Sequence, residues 1–136
     1  MKVFFDTNVY VAETLLGAAA ASMIAATLKA RWRVYVSRYL LEELGRVLTE
    51  ELGFARRLAV LSQRRVLRRS TVVEAGGSAQ VPQDPKDSPI LQAAIGCSAD
   101  CLVTNDRHLL SLDPCEGLRI MSMTDYHELL RQEGLL

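Results

Sequence analysis

Short apolar runs alternate with longer stretches of helical spacing along this chain. Lys2–Phe5 is an apolar run rich in strand formers that ends abruptly at Asp6-Thr7-Asn8. After Glu13, the residues Leu15, Leu16, Ala18–Ala21, Met23, Ile24 and Leu28 predict a helix over Thr14–Leu28 that is apolar on most sides. Arg33-Val34-Tyr35-Val36 reads as a second strand, stopped by Ser37, a favourable N-cap. Leu40, Leu41, Leu44, Val47 and Leu48 then predict a helix over Arg38–Leu52, and Phe54–Arg69 repeats the pattern with more arginine. Ser70–Val73 is a further strand candidate, followed by a loop through Gly76-Gly77-Ser78 and Pro82–Pro85. From Asp87 the spacing turns helical, with Ile90, Leu91, Ala94 and Ile95 on one face and an end near Gly96. Cys101-Leu102-Val103 and Leu118–Met121 complete the strands. A closing helix is expected from Thr124, with Asp125 and Glu128 in its first turn. Strands and helices in alternation predict an α/β fold, a three-layer α/β/α sandwich with a mainly parallel sheet.

The chain has 136 residues, 49% of them hydrophobic, which suits one domain spanning residues 1–136 with a single core. Its 16 basic and 16 acidic residues cancel, yet they are unevenly placed. Lys29–Arg69 holds 11 basic residues against 4 acidic ones, and the flanks carry the opposite excess. Asp6, Asn8 and Glu13 interrupt the N-terminal apolar segment, arguing against an export signal. The uncharged stretch Thr14–Leu28 is too short to span a membrane. Cys97, Cys101 and Cys115 cannot all pair within one chain, and neither they nor His108 form a zinc pattern, so reduced thiols are expected. A soluble, cytoplasmic protein is the expectation.

Carboxylates stand where an open parallel sheet binds ligands, outside the carboxyl ends of its strands. Asp6 follows the first strand and Asp106 the Cys101–Val103 strand, while Asp84 and Asp87 precede the Ile90 helix. Each of Asp6, Asp87 and Asp106 suits an N-cap, which is the simpler reading for any one alone. Asp84 precedes a proline and suits a turn. Converging carboxylates repel unless protonated or neutralised, and Mg²⁺ or Mn²⁺ suits a site of few carboxylates plus waters. On a helix of about 100° per residue, Glu43 falls at the edge of the apolar arc while Glu42 points nearly opposite. The alternative for Glu43 is a boundary ion pair with Arg46 or Arg38. The basic middle is either a solvated helix surface or a hold on a phosphate backbone. It lacks the interleaved aromatics that base stacking would need.

Four segments in order resemble the PIN-domain ribonucleases, the family that includes the VapC-like toxins of toxin–antitoxin modules. They are Phe5-Asp6-Thr7-Asn8-Val9; Ser37 with Leu40-Leu41-Glu42-Glu43-Leu44 and Val47-Leu48; Asp84-Pro85-Lys86-Asp87-Ser88-Pro89-Ile90-Leu91; and Ala99–Asp106 with His108-Leu109-Leu110. The resemblance implies a Rossmann-like fold with an acidic quartet at Asp6, Glu43, Asp87 and Asp106, supported by Asn8 and Thr104. Asn105 stands where the family commonly has Gly. The resemblance further implies metal-dependent hydrolysis of RNA, with Mg²⁺ or Mn²⁺ held by Asp6, Asp87 and Asp106. An antitoxin partner and a homodimer are expected on the same ground, and Leu52–Val81 matches no motif.

The alternative is a catalytically silent PIN-like scaffold that binds RNA or protein. A haloacid-dehalogenase-like phosphotransferase would need a second Asp where Asn8 stands, and a receiver domain would place its acceptor after a later strand.

Overall fold

The computed structural model describes residues 1–74 and 88–136. Its elements are β1 (Lys2–Phe5), α1 (Thr7–Thr14), α2 (Ala18–Lys29), β2 (Arg33–Ser37), α3 (Arg38–Arg46), a π-helical turn (Val47–Glu51) and α4 (Arg56–Arg69). They continue as β3 (Thr71–Val73), α5 (Ser88–Gly96), β4 (Cys101–Val103), α6 (Arg107–Leu110), β5 (Arg119–Met121) and α7 (Met123–Gln132).

The five strands form one sheet in the order β3-β2-β1-β4-β5, every neighbour parallel. Val3, Phe4 and Phe5 of β1 and Cys101, Leu102 and Val103 of β4 are all buried, so the central strands are covered on both faces. That is why they read as unbroken apolar runs rather than as alternation. The fold is therefore the expected three-layer α/β/α sandwich. Phe5 meets Tyr10 of α1 and Tyr126 of α7 edge-on, at centroid distances of 6.0 and 5.6 Å. Those ring contacts fix both helices against the end of β1.

Three local expectations are corrected. The helix expected over Thr14–Leu28 is two helices, with Thr7–Asn8 already helical and a corner at Leu15–Gly17. Leu16 adopts a positive φ of 66° there, and a Cβ on Gly17 would stand 2.4 Å from the Ala12 carbonyl oxygen, so the corner needs glycine. The helix expected over Arg38–Leu52 is regular only to Arg46 and then widens into the π-helical turn. The closing helix starts at Met123 under a Ser122 cap, which places Glu128 beyond the first turn, paired with Arg131. Ser37 caps α3 as expected, its hydroxyl accepting from the Leu40 N–H at 3.2 Å. The three cysteines are free. Among the described residues, no single helix is long and apolar enough to cross a membrane.

The chain winds from β1 through β2 to β3 on one side, then returns to β4 and β5 on the other. The order reverses between β1 and β4, and such a switch point opens a crevice at the strands' carboxyl ends.

Candidate active site

Register brings the first two acids together. Val3, Phe4 and Phe5 lie opposite Cys101, Leu102 and Val103, so the residues that follow, Asp6 and Thr104, leave the sheet side by side. The Asp6 N–H extends the ladder to the Val103 carbonyl at 2.9 Å. Asp6 is 3% exposed and caps α1, its Oδ1 accepting from the Thr7 N–H at 2.7 Å. Its Oδ2 accepts from the Thr104 hydroxyl at 2.7 Å and from Asn8 Nδ2 at 3.1 Å. The same Thr104 oxygen accepts from the Asp106 N–H at 3.0 Å. One buried hydroxyl thus sets the spacing of two carboxylate-bearing turns.

Asp106 caps α6, its Oδ1 accepting from the His108 N–H at 2.8 Å. Capping and site membership, posed as rivals by the sequence, are the same geometry here: an N-cap at a strand's end points its carboxylate along the crevice. Asn8 ties the two loops together. Its Nδ2 also reaches the Thr104 hydroxyl oxygen at 3.3 Å, and its Oδ1 accepts from the Asn105 N–H at 3.4 Å.

Glu43 comes from α3, half-buried, while Glu42 is exposed, the division that helical geometry predicts. The rival boundary pairings are taken elsewhere: Arg38 meets Glu74 at 3.5 Å and Arg46 meets Glu51 at 3.2 Å. Glu43 makes no ion pair among the described residues. A cavity of about 250 Å³ is lined by Asp6, Asn8, Glu43, Glu51 and Asp106, with Thr7, Val11 and Val47. Asp87 and Asp84 lie outside the described residues, so their place relative to this cavity is not part of the geometry.

Glu51 is a lining carboxylate that the sequence reading missed. In an α-helix, residues spaced by four drift about 40° per step, which would turn Glu51 away from Glu43. The wider i→i+5 turn at Val47–Glu51 rewinds that drift. Hydrophobic spacing carries no signal of such a turn.

Electrostatics follow from the placement. Burial pushes the Asp6 carboxyl up to about 6, against the lowering effect of the Thr104 and Thr7 hydrogen bonds, and the charges of Glu43 and Asp106 push the same way as burial. Among the described residues, no three acidic, histidine or cysteine side chains are grouped closely enough to hold a metal ion between them. The donor set still suits a hard cation. Mg²⁺ keeps several of its waters and needs only one or two carboxylates. Asp6 and Asp106 present oxygen donors to one cavity, and the cost of a buried, crowded negative charge is relieved by a positive ion.

A sequence model of the PIN domain matches residues 2–108. The fold is similar to the crystal structure of PAE2754 from Pyrobaculum aerophilum at 17% sequence identity, with a TM-score of 0.66, covering 97% of this chain and 96% of that one. At that identity the likeness speaks for the fold alone. No curated protein matches the sequence.

Proposed function

Because this chain belongs to the PIN-domain family, whose members are generally nucleases that use divalent cations, we propose that it is a metal-dependent endoribonuclease, the toxin of a toxin–antitoxin pair. The observation that carries this reading is the convergence of Asp6, Glu43 and Asp106 on one cavity at the switch point of the sheet.

Asp6 and Asp106 are the residues to hold Mg²⁺ or Mn²⁺, and the resemblance adds Asp87. A divalent cation bound there supplies a water of lowered pKa and neutralises charge growing on the phosphoryl oxygens. The protein's part is positional. Thr104, Asn8 and the Thr7 N–H hold the Asp6 carboxylate from three directions, so it does not rotate away when an anion enters. The His108 N–H does the same for Asp106. Glu43, without an ion pair among the described residues, would orient the attacking water or complete the outer shell of the cation. RNA approaches a cavity lined with negative charge, so attraction has to come from beside it. Arg56, Arg57, Arg64 and Arg68 of α4 are exposed and have no acidic partner among the described residues. They suit the backbone of a nucleic acid.

An antitoxin, a homodimer and a cytoplasmic location belong to the same proposal. The exposed Leu15 and Leu16 at the α1–α2 corner, 50% and 93% accessible, support a protein partner. The competing scaffold reading draws on the lack of a grouped three-ligand set among the described residues.

The test is cleavage of a mixed structured and single-stranded RNA pool by purified protein with Mn²⁺, Mg²⁺ or EDTA, beside Asp106→Asn. Cutting that needs the cation and disappears in the variant is the expected result. RNA binding without cutting under every condition would favour the scaffold.

A further inference from the structure

A second cavity opens on the same end of the sheet. It measures about 390 Å³ and is lined by Ala19, Met23, Asn105, Met123, Thr124 and His127. Its size falls within the range of small-ligand pockets. Asn105 separates it from the acidic cavity. The neighbours of Asn105 in sequence, Thr104 and Asp106, belong to the acid site, and its backbone N–H reaches Asn8 Oδ1.

We propose that this cavity receives an unpaired base of the RNA strand whose backbone lies at the carboxylates. The inference rests on the nuclease reading and adds the substrate class: a single-stranded segment with one base turned out of the stack.

Three observations favour a base as occupant. The lining is mostly apolar, with Met23 and Met123 and with Ala19 at the exposed rim, and the one aromatic ring of the wall, His127, is available for stacking. Asn105, Thr124 and His127 line it, and the Asn105 Nδ2, the Thr124 hydroxyl and the His127 imidazole make no hydrogen bond among the described residues. Together they can meet the acceptors and donors of a base edge. A phosphate suits the cavity poorly. Although the N-terminus of α7 lies in its wall, the Met123 N–H is taken by Asn105 Oδ1 at 3.2 Å and the Asp125 N–H by the Ser122 hydroxyl at 3.1 Å. Neither lysine nor arginine lines it. Asn105 Oδ1 also locks the wall between the two cavities to α7, so a base bound in one is held at fixed distance from a phosphate at the other.

The probes are the four free ribonucleosides, a short apolar peptide, and a labelled single-stranded RNA with and without abasic positions, all in EDTA so that nothing is cut. Methyl NMR follows Met23 and Met123, and anisotropy follows the oligonucleotide. Ala19 is exposed on α2 and lies outside the acid site. Ala19→Phe therefore fills the cavity from its rim, and His127→Ala removes the stacking ring.

At least one nucleoside is expected to shift both methyl signals. Ala19→Phe is expected to abolish the shift, and either variant to weaken the intact oligonucleotide roughly tenfold while leaving the abasic one unchanged. Methyl shifts that survive in Asp106→Asn support the pocket independently of cleavage. Metal-dependent cutting with no methyl shift from any nucleoside would overturn the pocket and leave the nuclease standing. Methyl shifts without any cutting would keep the pocket and fail the nuclease. Shifts from an apolar peptide but from no nucleoside would overturn the proposal in favour of protein docking.

Discussion

Raising the pH in the absence of divalent cations is expected to weaken this fold, and Asp6 is the reason. Its carboxyl stands at about 6 instead of 3.8, chiefly because it is 3% exposed. Between those values the folded chain binds more protons than the unfolded one, so stability falls as pH rises through the window and levels off above it. The full difference corresponds to about 3 kcal/mol, of which between about 1 and 2 kcal/mol is lost from about pH 5 to about pH 8. For a chain of 136 residues that is a drop in Tm of roughly 4–8 °C. The assay is scanning calorimetry in EDTA across this range, repeated with Mn²⁺ and with Asp6→Asn. Taking the difference from Asp6→Asn removes every other titrating group. Mn²⁺ should restore stability at the alkaline end, where the carboxylate is charged, and do little at the acid end. Wild type and Asp6→Asn running parallel across the range would refute the reasoning, because burial of this carboxyl would then not govern its protonation.

The hydrogen bonds around the site make further predictions. Thr104→Val keeps the shape but removes the donor to Asp6 Oδ2 and the acceptor for the Asp106 N–H. It should cost about 1–3 kcal/mol in urea unfolding, and should move the Asp6 titration, followed by carboxyl NMR, to still higher pH. Glu13 on α1 is only 7% exposed and receives Arg69 of α4 at 2.8 Å and Arg65 at 3.4 Å. Glu13→Ala should cost roughly 3–5 kcal/mol by leaving Arg69 largely buried without its partner, whereas Glu13→Leu with Arg69→Met should recover most of that loss, both read by urea unfolding. Tyr126→Phe removes the hydroxyl that pairs with Thr27. A loss of about 1 kcal/mol is expected, with no change in RNA cleavage.

Much of this arrangement was legible because it is carried by local chemistry. Strands buried on both faces leave unbroken apolar runs, which marked β1 and β4 and therefore placed Asp6 and Asp106 at strand ends. Helical angle alone separated Glu43 from Glu42. The convergence of these acids depends on register and strand order, which no local window encodes; the family resemblance supplied it. Other features left no readable trace. Helix α1 presents Thr7 and Asn8 to the site and Val9 and Tyr10 to the core, so its pattern does not resolve into one apolar stripe. The corner at Gly17 depends on contact with the Ala12 carbonyl. Glu51 reaches the cavity only through a widened turn. Asn8 is named as a supporting residue by the resemblance, and only its link to the Asn105 N–H comes from the fold. Asp87, read from the motif before α5, falls outside the described residues.

Paramagnetic broadening by Mn²⁺ tests most directly whether the carboxylates at the switch point form one cation-dependent centre. Substoichiometric Mn²⁺ added to labelled protein should first extinguish the amides of Thr7, Asn8, Asn105 and His108, which surround Asp6 and Asp106, and Asp106→Asn should weaken the effect. Broadening spread evenly over the surface, or centred on another acidic patch such as Glu128, would contradict the account.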